Sequence, residues 1–197
     1  MKRFILKELG PETWTDFAKL ASKQGQCWCM FYQRPRPLHK GKVPADQRGR
    51  VNRLDKQRLV RKGLAHAVLV YDEDNAIGWC QYGPKQELPR IDAGRFYRKL
   101  EPVREQENLW RITCFFVDKD YRGTGVAKLA LRGALDSIRE QGGGIVEAYP
   151  VVSRKMIAVP EWRWFGTRSM FEKVGFKPVT QLGTSMLLMR RRILADS

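Results

Sequence analysis

The chain has 197 residues, enough to bury the core of one domain but hardly of two, so a single domain over 1–197 is expected. With 43% apolar and 29% charged residues the composition is globular, and the longest apolar runs, "HAVLVY" and "ITCFFV", are far too short to cross a bilayer. The net charge of +16 leaves two readings open, a strongly solvated surface or a face for a polyanion.

"RFILKEL" reads as a first strand and "PETWTDFAKLASKQG" as a helix opened by Pro11 or Thr13 and closed at Gly25. "QRPRPLHKGKVP" is a loop, since three prolines and a glycine break any ladder or helix. A basic helix follows in "ADQRGRVNRLDKQRLVRKG", with a thin apolar stripe of Val51, Leu54 and Leu59. Residues 34 to 62 carry eleven Lys/Arg against Asp46 and Asp55, so the charge is concentrated here. "HAVLVYDEDNAIGWCQYG" reads as two strands joined by a turn at Asp72 to Asn75, and "PRIDAGRFYRKL" as a short surface helix. "LWRITCFFV" has the near-continuous apolar content of a strand buried on both faces. Ala127, Leu131, Ala134 and Ile138 then mark the core face of a helix ending near Gly142. "GIVEAYPV" is the next strand, "GTRSMFEKVGF" another helix, and "TSMLLMR" the last strand. The class is α/β (α+β), with one strand, glycine turn, helix, strand unit in the second half that favours a parallel crossover.

The opening "MKRFILKELG" lacks the apolar stretch of a secretory signal, and four cysteines are too few for a disulfide scaffold, so reduced thiols and a cytoplasmic location are expected. Cys27 and Cys29 stand at C-x-C spacing, unlike a zinc finger or knuckle, and with Cys80 and Cys114 give no metal site. Cys114 lies inside an apolar strand, where a thiol is inert unless a base is near. His39 and His66 are read as surface or packing residues.

The informative stretch is "YRGTGVAKLAL". A dinucleotide fingerprint needs a glycine where Lys128 stands, and a phosphate P-loop needs Gly-Lys-Ser/Thr, which is absent. What remains is a turn whose Gly123 and Gly125 remove side chains, so that backbone N–H groups of about residues 122 to 127 can approach an anion at a helix N-terminus. Arg122 adds a full positive charge, which suits a pyrophosphate; an ordinary tight turn is the structural alternative.

In this context the sequence resembles the GNAT superfamily of acetyltransferases. The cofactor motif Arg/Gln-x-x-Gly-x-Gly/Ala is matched by Arg122, Gly125 and Ala127, and "SMFEKVGF" is similar to the family's C-terminal helix. The resemblance is specific over about residues 109 to 177. More loosely, "CWCMFY", "GWCQYG" and "EAYPV" resemble a poorly characterised branch of the superfamily.

The resemblance implies a GNAT-like fold: a central, mostly antiparallel sheet of six or seven strands, with helices on both faces. The strand ending at Val117 and the strand at 144 to 149 would run parallel and splay apart to hold acetyl-CoA. Arg122, Gly123, Thr124, Gly125, Val126 and Ala127 would take the pyrophosphate, and the backbone of Phe116 and Val117 the pantetheine amides. The N–H near Val117 would face the thioester oxygen. Phe171 stands where many relatives place a tyrosine that protonates the departing thiolate, and phenylalanine cannot do that. Two proton-transfer roles therefore need other groups. Glu147 and Tyr149, two apart on one strand face, are the candidates for base and acid, with Ser169 as substitute acid. A salt-bridged Glu147 and a core-capping Tyr149 are the structural alternatives.

The implied activity is N-acetyl transfer from acetyl-CoA to an amine acceptor, by direct attack in a ternary complex, without metal. The acceptor is unidentified, an acidic one being compatible with the basic segment, and Trp162, Trp164 and Phe165 are placed at its pocket or in a lid. The other function class is a binding module, in which a basic surface holds nucleic acid or an acidic partner and the acyl-CoA fold acts as a sensor.

Overall fold

The computed structural model describes residues 3–38, 43–101, 107–153 and 164–196. Strands β1 (Ile5–Glu8), β2 (His66–Asp72), β3 (Asn75–Pro84), β4 (Leu109–Val117), β5 (Gly144–Ala148), β6 (Lys177–Leu182) and β7 (Met186–Ile193) form one seven-stranded sheet in the order β1-β2-β3-β4-β5-β7-β6. Every pairing is antiparallel except β4 with β5. The helices are α1 (Trp14–Ala21), α2 (Arg48–Arg61), α3 (Val126–Glu140) and α4 (Arg168–Glu172).

The strand periodicity sorts side chains into two cores. In β2, Val68 and Val70 pack with Val126, Ala130, Leu131, Ala134 and Ile138 of α3. Ala67, Leu69 and Tyr71 point the other way, to Trp14, Phe17 and Leu20 of α1. Helices thus cover both faces, which is why β2 and β4 read as unbroken apolar runs. Gly78 on β3 permits the close seating of α3, for a Cβ there would come within 2.6 Å of Val126 Cγ1 and 2.9 Å of the Phe116 carbonyl.

A bulge in β4 sets up the centre of the molecule. Gln81 pairs with Cys114 but Tyr82 pairs with Ile112, so Thr113 is an extra residue, and it reverses the facing of everything after it. Ile112 and Phe115 consequently lie in the same core although three apart. The β4–β5 pairing runs only from Leu109↔Ile145 to Ile112↔Ala148. From Cys114 to Val117 β4 keeps β3 but has, among the described residues, no strand on its other side, so the sheet parts in the middle.

Four local readings differ from the sequence expectation. In α2 the buried residues are Lys56 and Val60, while Leu54 is 53% exposed. The expected stripe fails because the Lys56 amine donates to Gln33 Oε1 at 2.7 Å in the interior and lies over the Phe17 ring, 5.9 Å from its centroid. The 90–100 stretch forms turns and a short 3₁₀ segment, Tyr97–Lys99, rather than a helix. The helix read from "GTRSMFEKVGF" is only the five-residue α4. Strand β6 was not signalled, because it carries Pro178, a register shift between Pro178 and Thr180, and mostly exposed residues. His39, Lys40, Lys42 and Trp162 lie outside the described residues.

Candidate functional site

The end of β4 and the start of α3 enclose a cavity of about 520 Å³, lined by Phe115, Phe116, Val117, Arg122, Gly125 and Ala127 among others. Gly123 (φ +80°) and Gly125 (φ +91°) adopt left-handed backbone, and a Cβ at either would meet nothing within 4 Å. The space in front of both is open. Gly125 is the N-cap of α3 with no side-chain cap, so the first-turn N–H groups have neither an intrahelical nor a side-chain acceptor. Such a helix end carries roughly half a positive charge, and exposed Arg122 stands beside it, its Nε 3.4 Å from the Val117 carbonyl. Thr124 turns its hydroxyl back to the Tyr121 carbonyl at 2.7 Å, leaving its N–H region as part of the turn and not its side chain as part of the wall. Lys23 pairs with Asp118 and fastens the end of α1 across the rim. Opposite, Trp164, Gly166 and Met170 close the cavity.

Phe171 is not in that wall. It is fully buried, edge-on to Phe115 at 5.9 Å and to Phe176 at 5.2 Å, and so backs the wall through Phe115.

Past the parted strands lies a larger cavity, about 790 Å³, bounded by the loop after α1, the 90–97 stretch, Tyr149 and the β6–β7 hairpin. Tyr32 of this cavity meets Phe165 edge-on at 6.0 Å, and Phe165's chain neighbours Trp164 and Gly166 line the smaller one. The aromatic pair thus adjoins both cavities.

Glu147 and Tyr149 do share a strand face, and Tyr149 donates to Glu147 Oε2 at 2.7 Å. The carboxylate is wholly enclosed. Oε2 also accepts from Tyr97 at 2.7 Å, and Oε1 accepts both Arg190 Nε (2.9 Å) and Nη2 (2.8 Å). Arg111, across the β4–β5 pairing, lies 3.8 Å from Oε2 and is itself gripped by Asp92 in a two-pronged pair at 2.7 and 2.8 Å. Tyr97 takes a further bond from Arg111 Nη2 at 3.1 Å. Both proton-bearing tyrosines line the larger cavity, while Glu147, which both of them contact, is buried behind the lining. Ser169 is not brought to this cluster: it is exposed on α4, beside Thr167 at 3.2 Å.

Tyr97, Arg111 and Arg190 are neighbours of Glu147 that the sequence reading did not name. Arg111 left a signal, a guanidinium inside the apolar run "LWRITCFFV" that had to find a buried carboxylate.

Burial and the nearby Glu147 charge push the Tyr97 hydroxyl up to about 12 and hold Tyr149 well above its usual range. In the unfolded chain Tyr97 would lose its proton near the ordinary value of 10, so between 10 and about 12 the folded state holds more protons and stability falls as pH rises. Tyrosinate absorbance in the native protein is therefore expected to lag behind that of the chain in guanidinium, and a Tyr97→Phe variant to lose less stability across that interval. Coincident native and denatured titration curves would contradict the enclosed cluster.

Cys114 has a close neighbour after all: its sulfur lies 3.3 Å from that of Cys29, which also accepts the Trp79 indole N–H at 3.1 Å. Among the described residues no group of three or more His, Cys, Asp or Glu side chains is placed to hold a metal ion. None of the described helices is long and apolar enough to cross a membrane.

A sheet that parts between one parallel pair, with an uncapped, glycine-led helix at the opening, is the architecture of an acetyl-group transferase fold. The model of the acetyltransferase (GNAT) family matches residues 28–167, and the chain belongs to that family. Similar solved structures include an acetyltransferase of the GNAT family from Desulfovibrio desulfuricans, 14% identical with a TM-score of 0.56 over 96% of this chain and 99% of that one. Another is a Corynebacterium glutamicum structure of histone acetyltransferase HPA2 and related acetyltransferase, 16% identical, TM-score 0.54, covering 98% of each chain. A third is the PaiA N-acetyltransferase of Thermoplasma acidophilum in complex with coenzyme A, 12% identical, TM-score 0.53, covering 96% of this chain and 99% of that one. At such identities the likeness is one of fold. The search of curated proteins found no match.

Proposed function

We propose that the protein transfers an acetyl group from acetyl-CoA to the amine of an acceptor held in the larger cavity. The observation that carries this reading is the open, uncapped start of α3 at Gly125, facing a cavity that also exposes the unpaired edge of β4. These residues fit coenzyme A: N–H groups and Arg122 for a pyrophosphate, and a free strand edge for the amides of pantetheine. The coenzyme A in the similar Thermoplasma structure supports the assignment.

Bound acetyl-CoA supplies an activated acetyl thioester. The backbone from Arg122 to Ala127 holds its phosphates, and Phe116 and Val117 align the thioester against the parting of the strands. The N–H near Val117 donates to the carbonyl oxygen as it gains charge. Tyr97 and Tyr149 are the cluster's contact with the acceptor: a proton leaving the amine passes to a tyrosine oxygen as that hydroxyl passes its own to Glu147. Tyr149, kept protonated by its surroundings, is the donor to the departing sulfur and takes back the proton that Glu147 received, so that both groups end as they began. Arg190 and Arg111 keep the carboxylate in place between the two hydroxyls. Ser169 has no part in this scheme, since it stands outside the cluster.

The test is release of coenzyme A thiol from acetyl-CoA with a panel of amines. Thiol release with at least one amine, above the rate without any, is expected. Tight acetyl-CoA binding with no release across the panel would favour the sensor or binding-module reading.

A further inference from the structure

Among the described residues the larger cavity has three guanidinium groups in its wall, Arg36, Arg90 and Arg95, and no Asp or Glu. None of the three forms an ion pair among the described residues. Of the half-buried or buried arginines, Arg34 is matched to Asp55, Arg111 to Asp92 and Arg190 to Glu147, whereas Arg90, like Arg48 and Arg191, forms no ion pair among the described residues; Arg36 and Arg95 are exposed. Arg90 is the extreme case. It stacks on the Phe31 ring at 4.0 Å and spends one nitrogen, Nη1, on the Phe31 carbonyl at 2.7 Å. Its Nη2 is buried with no hydrogen-bond partner among the described residues. A half-buried cation with one nitrogen left without an acceptor is costly, and burial correspondingly pushes Arg90 down from its usual pKa. Arg95 is likewise set over an aromatic ring, Phe96, at 5.1 Å. Stacking of this kind pre-orients a planar fork for an oxyanion. Between these groups the wall is apolar and aromatic, and about 790 Å³ is room for one small molecule.

We infer that the acceptor is a small amine that also carries an anionic group, carboxylate or phosphate, on an apolar or aromatic body, with Arg90 and its two neighbours as the anion-binding subsite. This rests on the larger cavity being the acceptor site of the proposed reaction. A polyamine or an unmodified lysine side chain would bring more positive charge to three guanidinium groups that have no carboxylate partner, and would find no carboxylate in the wall, among the described residues.

The experiment is calorimetry on the full chain with three probes of one shape: 3-phenylpropanoate, phenyl phosphate and 2-phenylethylammonium. At least one anion should bind at least about tenfold more tightly than the ammonium, as charge-assisted bonds to a desolvated guanidinium warrant. Whichever anion is tighter names the group. Arg90→Gln should abolish the preference. Because Arg90 also holds the Phe31 carbonyl, a second variant, Arg36→Gln with Arg95→Gln, tests the subsite on exposed side chains and should weaken the same anion severalfold. Dependence on these arginines separates the cavity from the start of α3. An ammonium bound as tightly as either anion, no binding of any anion at millimolar concentration, or an anion preference unchanged in both variants would overturn the inference. The readout needs no turnover. Anion binding without thiol release would uphold the subsite and reject only the transferase reading.

Discussion

Replacing Gly125 by valine is expected to weaken acetyl-CoA binding by at least about a hundredfold while leaving the chain folded. The loss of two charge-assisted bonds, roughly 1.5–3 kcal/mol each, is enough for this. The new side chain meets no protein atom, since nothing lies within 4 Å of a Cβ there, and so occupies the open space that the N–H groups face. The left-handed backbone adds a strain of roughly 1–2 kcal/mol. Gly63→Val separates the two effects, because Gly63 at the end of α2 also has positive φ (+66°) and nothing within 4 Å, but is not in the cavity wall. Its melting temperature should fall by a similar amount with acetyl-CoA affinity unchanged. A folded Gly125→Val protein that binds acetyl-CoA like the parent would move the phosphate site elsewhere.

Glu147→Gln is expected to lower turnover by about 10² to 10⁴, the usual worth of a general base, with little change in acetyl-CoA affinity. It should also destabilise, because Arg190 and Arg111 then share an interior without a negative partner for the first and with only Asp92 for the second. Breaking a buried pair costs about 3–5 kcal/mol, and glutamine retains one acceptor oxygen, so a loss near the lower figure is the expectation. At roughly 2–4 °C per kcal/mol for a chain of this size, the melting point should drop by about 6–12 °C. Rates must therefore be compared well below that point. Tyr97→Phe distinguishes chemistry from support, since it removes a hydroxyl of the relay while the Arg190 pair stays intact. A Glu147→Gln rate within a few-fold of the parent from pH 6 to 9 would reduce the carboxylate to a structural ion-pair partner.

The parts of this fold that were legible are those written in local patterns. Gly123 and Gly125 before the four-three-four spacing of Ala127, Leu131, Ala134 and Ile138 announced a turn and a helix face, and three of those four are fully buried. The β2–β3 hairpin and the β4 run were equally direct. What was not legible depends on partners far along the chain. Thr113 looks like any strand residue, and only the pairing of β3 makes it a bulge that parts the sheet. Lys56 broke the apolar period of α2 because Gln33, 23 residues earlier, supplies a buried acceptor. Tyr97 sat in a stretch read as a surface helix, and its bond to Glu147 spans 50 residues. The pairing of Glu147 with arginine was one of two readings open in the sequence, and the structure shows the pair together with the tyrosine contacts.

Among the described residues the two cavities have no lining residue in common, and the Tyr32–Phe165 contact adjoins both. Under the proposed reaction each ligand then has its own doorway. Neither must depart to admit the other, and the spent coenzyme can leave while an acceptor is still lodged in the larger cavity. Initial-rate lines taken at several concentrations of both ligands should accordingly cross rather than run parallel, with no compulsory order of arrival.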